Sequence, residues 1–211
     1  MIESFTLNHY GVNSYVVYDS GSRQCALIDP AAEASYEEAQ VKQFIEQQQL
    51  TPRYILLTHA HVDHIAGLRQ ASECYHLPVT MHPDGTQLIH QAVSYASIMG
   101  FEITNLDDLP TCFIQDNEIL PLGQSTLQAR YVPGHCPGSM CYVSTDDKCV
   151  ITGDALFHLS VGRTDLPGGD HQLLIANIKD KLLTLPDEYS VLPGHGIRST
   201  IGKERLHNPF L

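Results

Sequence analysis

The sequence predicts an α/β protein of αββα architecture, in which two mixed β-sheets lie face to face and helices cover both outer sides. Three observations carry this prediction. Strand-type and helix-type patterning recurs in both halves of the 211-residue chain. Four short apolar runs have the length of buried strands: Ile55-Leu56-Leu57-Thr58-His59, Tyr131-Val132-Pro133-Gly134-His135, Val150-Ile151-Thr152-Gly153-Asp154 and Val191-Leu192-Pro193-Gly194-His195. Each run ends in a side chain able to bind a metal, so histidine and aspartate from distant parts of the chain would meet on one rim of a sheet.

In chain order, Asn13 to Asp19 is rich in Val and Tyr and Cys25 to Asp29 is a short apolar run. Ser20-Gly21-Ser22 between them is turn chemistry, which predicts a hairpin. From Glu33 to Gln48, Val41, Phe44, Ile45 and Gln48 fall on one helical face, and Pro52 separates this surface helix from the next strand. Ile65, Leu68, Ser72 and Tyr75 form a second stripe that ends before Pro78, and Val79 to His82 reads as a strand. Residues 84 to 108 are helical at first, then a polar loop around Gly100 that reads as part of a substrate pocket. Several closely spaced strands follow between Thr111 and Val143, with turns at Asp116-Asn117 and Leu122-Gly123. Leu174, Ile178 and Leu182 mark an amphipathic helix before the last strand.

Composition narrows the function classes. Charged residues at 17% and hydrophobic ones at 43% are ordinary for a globular enzyme, and the spread of the four runs fits one domain over residues 1–211. No apolar stretch approaches the roughly 20 residues that cross a bilayer. The N-terminal segment lacks the charged flank and apolar core of an export signal, so a cytoplasmic protein is expected. A formal charge of −12 with no basic run opposes binding to nucleic acid. The six cysteines form no CxxC pair and are expected to be buried free thiols.

The chemistry concentrates in His59-Ala60-His61-Val62-Asp63-His64. Histidines at i and i+2 in extended chain point the same way, so His59 and His61 can chelate one ion while Asp63 and His64 reach a second. Grouping four such side chains beside a buried strand is costly unless a cation compensates for their desolvation. His135, Asp154 and His195 stand at matching strand ends and extend the cluster.

Through Thr58-His59-Ala60-His61-Val62-Asp63-His64, Pro133-Gly134-His135, Thr152-Gly153-Asp154 and Leu192-Pro193-Gly194-His195, the chain resembles the metallo-β-lactamase superfamily over nearly its whole length. The resemblance implies one metal on His59, His61 and His135, a second on Asp63, His64 and His195, and Asp154 bridging both. It implies two divalent ions, zinc first with iron or manganese as alternatives, because all three accept this donor set. Such ions ionise a shared water near neutral pH and polarise a carbonyl. Asp63 would also orient or deprotonate that water.

Within the superfamily, Asp154 stands where the lactamases proper mostly place a thiol, and His61 where the diiron flavoproteins have Glu. Gly162-Arg163-Thr164-Asp165-Leu166-Pro167-Gly168-Gly169 and the ending Asn208-Pro209-Phe210-Leu211 resemble short-form type II glyoxalases, the hydroxyacylglutathione hydrolases. This implies a small-molecule thioester substrate such as S-lactoylglutathione. Arg163 occupies the place of a cationic side chain that contacts glutathione in the longer enzymes. Asp165 stands where those enzymes carry an aromatic residue, so Arg163 is open to two roles: gripping a substrate carboxylate or tying its own loop through Asp165.

The alternative is a persulfide dioxygenase, a branch with the same HxHxDH pattern and a GRTD stretch that holds a single iron on the equivalents of His59, His135 and Asp154. A noncatalytic metal-binding protein is disfavoured by the complete ligand set, and an RNA-processing nuclease by the acidic balance. His82, His90, His158 and His171 read as packing or surface residues, with Phe157 and His158 lining the pocket, and His9 and His207 as exposed. Cys136, beside His135, reads as a packed thiol.

Overall fold

The computed structural model describes residues 1–211. Its first sheet contains β1 (Ile2–Leu7), β2 (Val12–Tyr18), β3 (Gln24–Ile28), β4 (Thr51–Leu56), β5 (Val79–Met81) and β6 (Thr111–Phe113), in that spatial order. β1, β2 and β3 are antiparallel neighbours, whereas β3 through β6 run parallel. The parallel links require crossovers. α1 (Ser35–Gln47), α2 (Leu68–Tyr75) and α3 (Thr86–Met99) provide them.

The second sheet holds β7 (Ile119–Leu122), β8 (Ser125–Tyr131), β9 (Met140–Ser144) and β10 (Cys149–Gly153). After a small hairpin, β11 (Leu156–Phe157) and β12 (Ser160–Val161), it is completed by β13 (Ser190–Pro193) and β14 (Ser199–Thr200). Its order is β14-β13-β10-β9-β8-β7, and only the β10–β13 pair is parallel. α4 (His171–Asn177) continues as a wider turn over Ile178–Leu182 and forms that crossover, and α5 (Ile201–His207) follows β14.

Alternation along the strands sorts the core into layers. On β9, Met140 and Tyr142 join Tyr15, Ile28, Leu56 and Leu127 between the sheets. Cys141 and Val143 point the other way, onto Leu174, Ile178, Leu182 and Ile201 of the helices. On β2, Tyr15 and Val17 face the second sheet, and Val16 and Tyr18 join Ile45, Leu68 and Ala71 outside the first. Three apolar layers therefore separate helix, sheet, sheet and helix, as the patterning predicts.

The expected hairpin is β2–β3, but it is preceded by β1, which the sequence reading left out. Pro52, expected to separate the first helix from the next strand, lies inside β4. The register shifts where Pro52 faces Cys25, a bulge of the kind that spares proline a ladder hydrogen bond. All six cysteines are free, with Cys25, Cys136, Cys141 and Cys149 buried and Cys74 and Cys112 exposed, the last two against expectation. No helix is long and apolar enough to cross a membrane.

Candidate metal centre

Each candidate ligand sits just beyond the end of a central strand. β4 is followed by Leu57, Thr58 and then His59, β8 leads to His135, β10 to Asp154 and β13 to His195. His61 precedes, and Asp63 and His64 lie on, a 3₁₀ turn over Val62–Ile65. The two sheets are tied at this rim by Met140 N–H donating to Thr58 O (2.7 Å) and Asn13 N–H donating to Gly194 O (2.7 Å). Gly194 is required by close approach, because a Cβ there would overlap the Asp154 carboxylate and the His64 ring. Gly153 adopts φ +48° directly before Asp154, and a Cβ on it would overlap Thr58.

All seven predicted residues converge. His61 Nδ1 lies 2.9 Å from His135 Nε2, and the His59 ring centroid is 4.7 and 5.0 Å from those of His61 and His135. In the second group His64 Nε2 is 3.3 Å from His195 Nε2, and His195 Nε2 is 3.2 Å from Asp63 Oδ2. Asp154 spans the two groups, with Oδ1 3.3 Å from His64 Nε2 and Oδ2 3.8 Å from His135 Nε2.

The outer ring nitrogens set the inward ones. His64 Nδ1 donates to Asp29 Oδ2 (2.9 Å), His135 Nδ1 to the Arg163 carbonyl (2.8 Å) and His195 Nδ1 to the Tyr10 carbonyl (3.2 Å). Thr58 gives its own hydroxyl proton to Asp29 Oδ2 (2.6 Å), so His59 Nδ1 donates to Thr58 Oγ1 (3.1 Å). With Nδ1 protonated in all four rings, their Nε2 lone pairs point inward, the arrangement by which outer partners orient metal ligands.

These lone pairs need a cation. His59 Nε2 and Asp154 Oδ1 are buried and have no hydrogen-bond partner, and burying such groups unpaired is costly. Three tight sets of donors could each hold an ion: His59, His61 and His135 with Cys136; Asp63, His64 and His195; and Asp29, His59 and His64, which share their histidines with the first two. The donor chemistry fits divalent metals that accept imidazole and carboxylate.

Protonation follows from burial and the neighbouring charges. Burial, helped by His135 and His64, pushes His61 down to about 4, and burial with the surrounding histidines also lowers His59. Burial lowers His135 too, with Asp154 opposing. Burial alone would raise Asp63, but without a metal His195 and His64 can take a second ring proton, and the hydrogen bond from His195 Nε2 and the charge of His64 then hold it well below the usual carboxylate range. Asp154 is likewise lowered, because His64 outweighs burial. His64 and His195 are raised against their own burial, His64 by Asp154 and Asp29 and His195 by Asp63 and Asp154.

Asp29 is the residue the sequence reading missed. It is buried at the end of β3 and accepts from Thr58 N–H (2.7 Å), Thr58 Oγ1 and His64. Its signal was present, since Ala26-Leu27-Ile28-Asp29 is a fifth apolar run ending in an acid. Arg163, by contrast, is not turned into the centre. Its Nε and Nη2 both donate to the Asp165 carboxylate (2.8 Å each), and both side chains are more than half exposed.

Phe157 lines the centre, its ring 6.4 Å from that of His195. His158 does not, because it turns toward Ser199 (3.5 Å) and Glu204 (3.7 Å). His82 stacks on Tyr131 (3.9 Å), His90 pairs with Asp107 at the surface, and His9, His171 and His207 are exposed. Residues 84 to 108 reach the rim through Phe101, which packs against His9 and Tyr10. The Cys136 thiol is fully buried, pushed up to about 12 by that burial, and 3.3 Å from Ser139 Oγ.

Comparison with known proteins agrees with this architecture. The profile of the Metallo-beta-lactamase superfamily matches residues 7–195. The chain is 40% identical to the probable metallo-hydrolase YqgX of Bacillus subtilis over 192 residues, covering 89% of this chain and 87% of that one. It is 33% identical to the hydroxyacylglutathione hydrolase GloC of Haemophilus influenzae over 212 residues, covering 100% and 97%. Among solved structures, the BLEG-1 B3 metallo-β-lactamase superposes with a TM-score of 0.89 at 36% identity, covering 100% of this chain and 99% of that one. TTHA1623 in a di-iron-bound form gives 0.87 at 36% identity, covering 99% and 100%. ETHE1 from Myxococcus xanthus gives 0.79 at 26%, covering 99% and 83%. Two mixed sheets between helices, a rim of seven converging donors and a profile match over most of the sequence lead to one assignment: the chain belongs to the metallo-β-lactamase superfamily, whose members bind divalent metal ions.

Proposed function

We propose that this protein is a metal-dependent hydrolase of thioesters such as S-lactoylglutathione, releasing a hydroxy acid and a free thiol. The observation that carries this reading is Asp154, whose two oxygens reach one donor group each. In this reading His59, His61 and His135 hold one divalent ion, Asp63, His64 and His195 hold the other, and Asp154 joins them. Bound there, the ions supply an acidified water and Lewis-acid polarisation of the thioester carbonyl.

The chain's own residues do the rest. Asp63, besides ligating, would orient the attacking water and accept its proton. That proton passes to the departing thiolate, a good leaving group that needs no dedicated acid. Arg163 meets a substrate carboxylate by exchanging its partner Asp165. The charge of −12 turns away polyanions and leaves small molecules as substrates. The likeness to GloC over the full chain supports the hydrolase, and zinc is the first choice of metal, with the di-iron form of TTHA1623 supporting iron.

A second reading is a persulfide dioxygenase with one iron on His59, His135 and Asp154. The approach of His135 to Asp154 (3.8 Å) favours it, because two histidines and a carboxylate with open positions suit ferrous iron and O₂. It also fits the likeness to ETHE1.

One paired experiment separates them. Metal content is measured after expression without supplementation, and thiol release from S-lactoylglutathione is assayed beside O₂ uptake with glutathione persulfide and cleavage of a chromogenic β-lactam. Thiol release with two metals per chain is the expected result. Oxygen uptake at one iron per chain without thiol release would replace the hydrolase by the dioxygenase, and β-lactam cleavage alone would overturn both.

A further inference from the structure

A cavity of about 280 Å³ opens on the outer side of the first sheet, between β1 to β3 and the helices α1 and α2. Its floor is Phe5, Leu7, Val16 and Leu27, all buried members of the outer core layer. Small side chains at Ala32 and Ala71 leave the space open where larger ones would fill it. Protein interiors are close-packed and voids larger than a water molecule are few. An apolar cavity of roughly 150 Å³ already stays dry and takes up benzene, and this one is larger and has a mouth.

The mouth carries the chemistry that selects a ligand. Glu38 and Lys42 line it, one turn apart on α1. Lys42 is drawn to Glu46, with Nζ 4.0 Å from Oε1, while Glu38 has no ion-pair partner. A half-buried carboxylate above an apolar floor, in a chain of charge −12, is complementary to a cation with an apolar body.

We propose that this cavity is a binding site for a small organic amine, an aryl or short alkyl body resting on the floor and its ammonium on Glu38. The site is separate from the metal centre, because none of the seven candidate ligands lines it. Ile28 and Pro30 on its wall flank Asp29, whose carboxylate is engaged with Thr58 and His64 instead.

The test is an NMR titration of the metal-loaded protein with 2-phenylethylamine, 2-phenylethanol and 3-phenylpropanoate, three probes of similar shape and different head charge. The amine should bind saturably and about tenfold more tightly than the alcohol, with the carboxylate weakest. Glu38→Gln should remove that preference while the alcohol still binds. Ala39→Trp, at an exposed position on the mouth, should plug the cavity and abolish binding. The chain contains no tryptophan, so the new indole also reports its own seating by a blue-shifted emission. Failure of the amine to saturate, binding that survives Ala39→Trp, or a head-group preference unchanged by Glu38→Gln would each overturn the proposal.

Discussion

Asp29 Oδ2 lies 2.9 Å from His64 Nδ1, and both side chains are buried, at 1% and 0% exposure. The same carboxylate takes the N–H and hydroxyl of Thr58, one residue before His59. A single acid therefore fixes a ring in each donor group: His64 directly, and His59 through the Thr58 oxygen.

Asp29→Asn should lower metal affinity by about 10–100-fold, the usual effect of removing a partner of a ligand histidine. An amide cannot accept from Thr58 N–H, Thr58 Oγ1 and His64 together. Metal retained after dialysis against graded chelator checks this, and full retention would remove Asp29 from the support of the centre.

Asp154→Ala should abolish turnover and reduce the metal bound per chain, because in the proposed centre both donor groups would lose their shared oxygen ligand. Metal analysis beside thiol release reads both effects. Unchanged turnover would refute the bridging role.

Metal occupancy should fall with pH in two stages. In the metal-free protein His64 and His195 are raised above their ordinary value of 6.5, so an ion at Asp63, His64 and His195 must displace protons that are still held above that pH. His61 is lowered to about 4 and is already neutral at pH 6, so the ion at His59, His61 and His135 meets little proton competition until the pH nears 4. Acidification from pH 8 should thus release the Asp63 ion first. Cobalt(II) spectra recorded across pH 8 to 4 distinguish the two stages, and simultaneous loss would count against the assignment.

The exposed Arg163–Asp165 pair gives a test of substrate contact. Asp165→Ala should free the guanidinium and lower KM for S-lactoylglutathione, whereas Arg163→Ala should raise KM with kcat little changed. Exposed pairs contribute little to stability, so neither variant should unfold. A marked loss of stability in urea for either one would make the pair a scaffold of its loop.

Much of the candidate site is legible because its candidate ligands break a local rule. A buried strand that ends in His59, His135, Asp154 or His195 sets a polar donor beside apolar residues, and the HxHxDH cluster concentrates four of them. Asp29 obeyed the same pattern but stood alone, with no second ligand-type residue nearby to make it visible. β1 is hard to read in the sequence because Ile2, Glu3 and Ser4 alternate poorly, and its face on the outer core layer shows only at Phe5 and Leu7. Pro52 looks like a boundary in the sequence because the bulge that accommodates it depends on the neighbouring strand β3.

The layered architecture was readable in the chain, since strand length, side-chain alternation and helical stripes are local properties, and the family motifs singled out the seven candidate donors. The packed fold was needed to show that Asp154 faces both groups, that Asp29 holds His64, and that Arg163 turns outward to Asp165. The first two depend on contacts between distant segments, set by how two sheets pack and twist against each other, and the third on which of its two partners the exposed guanidinium meets.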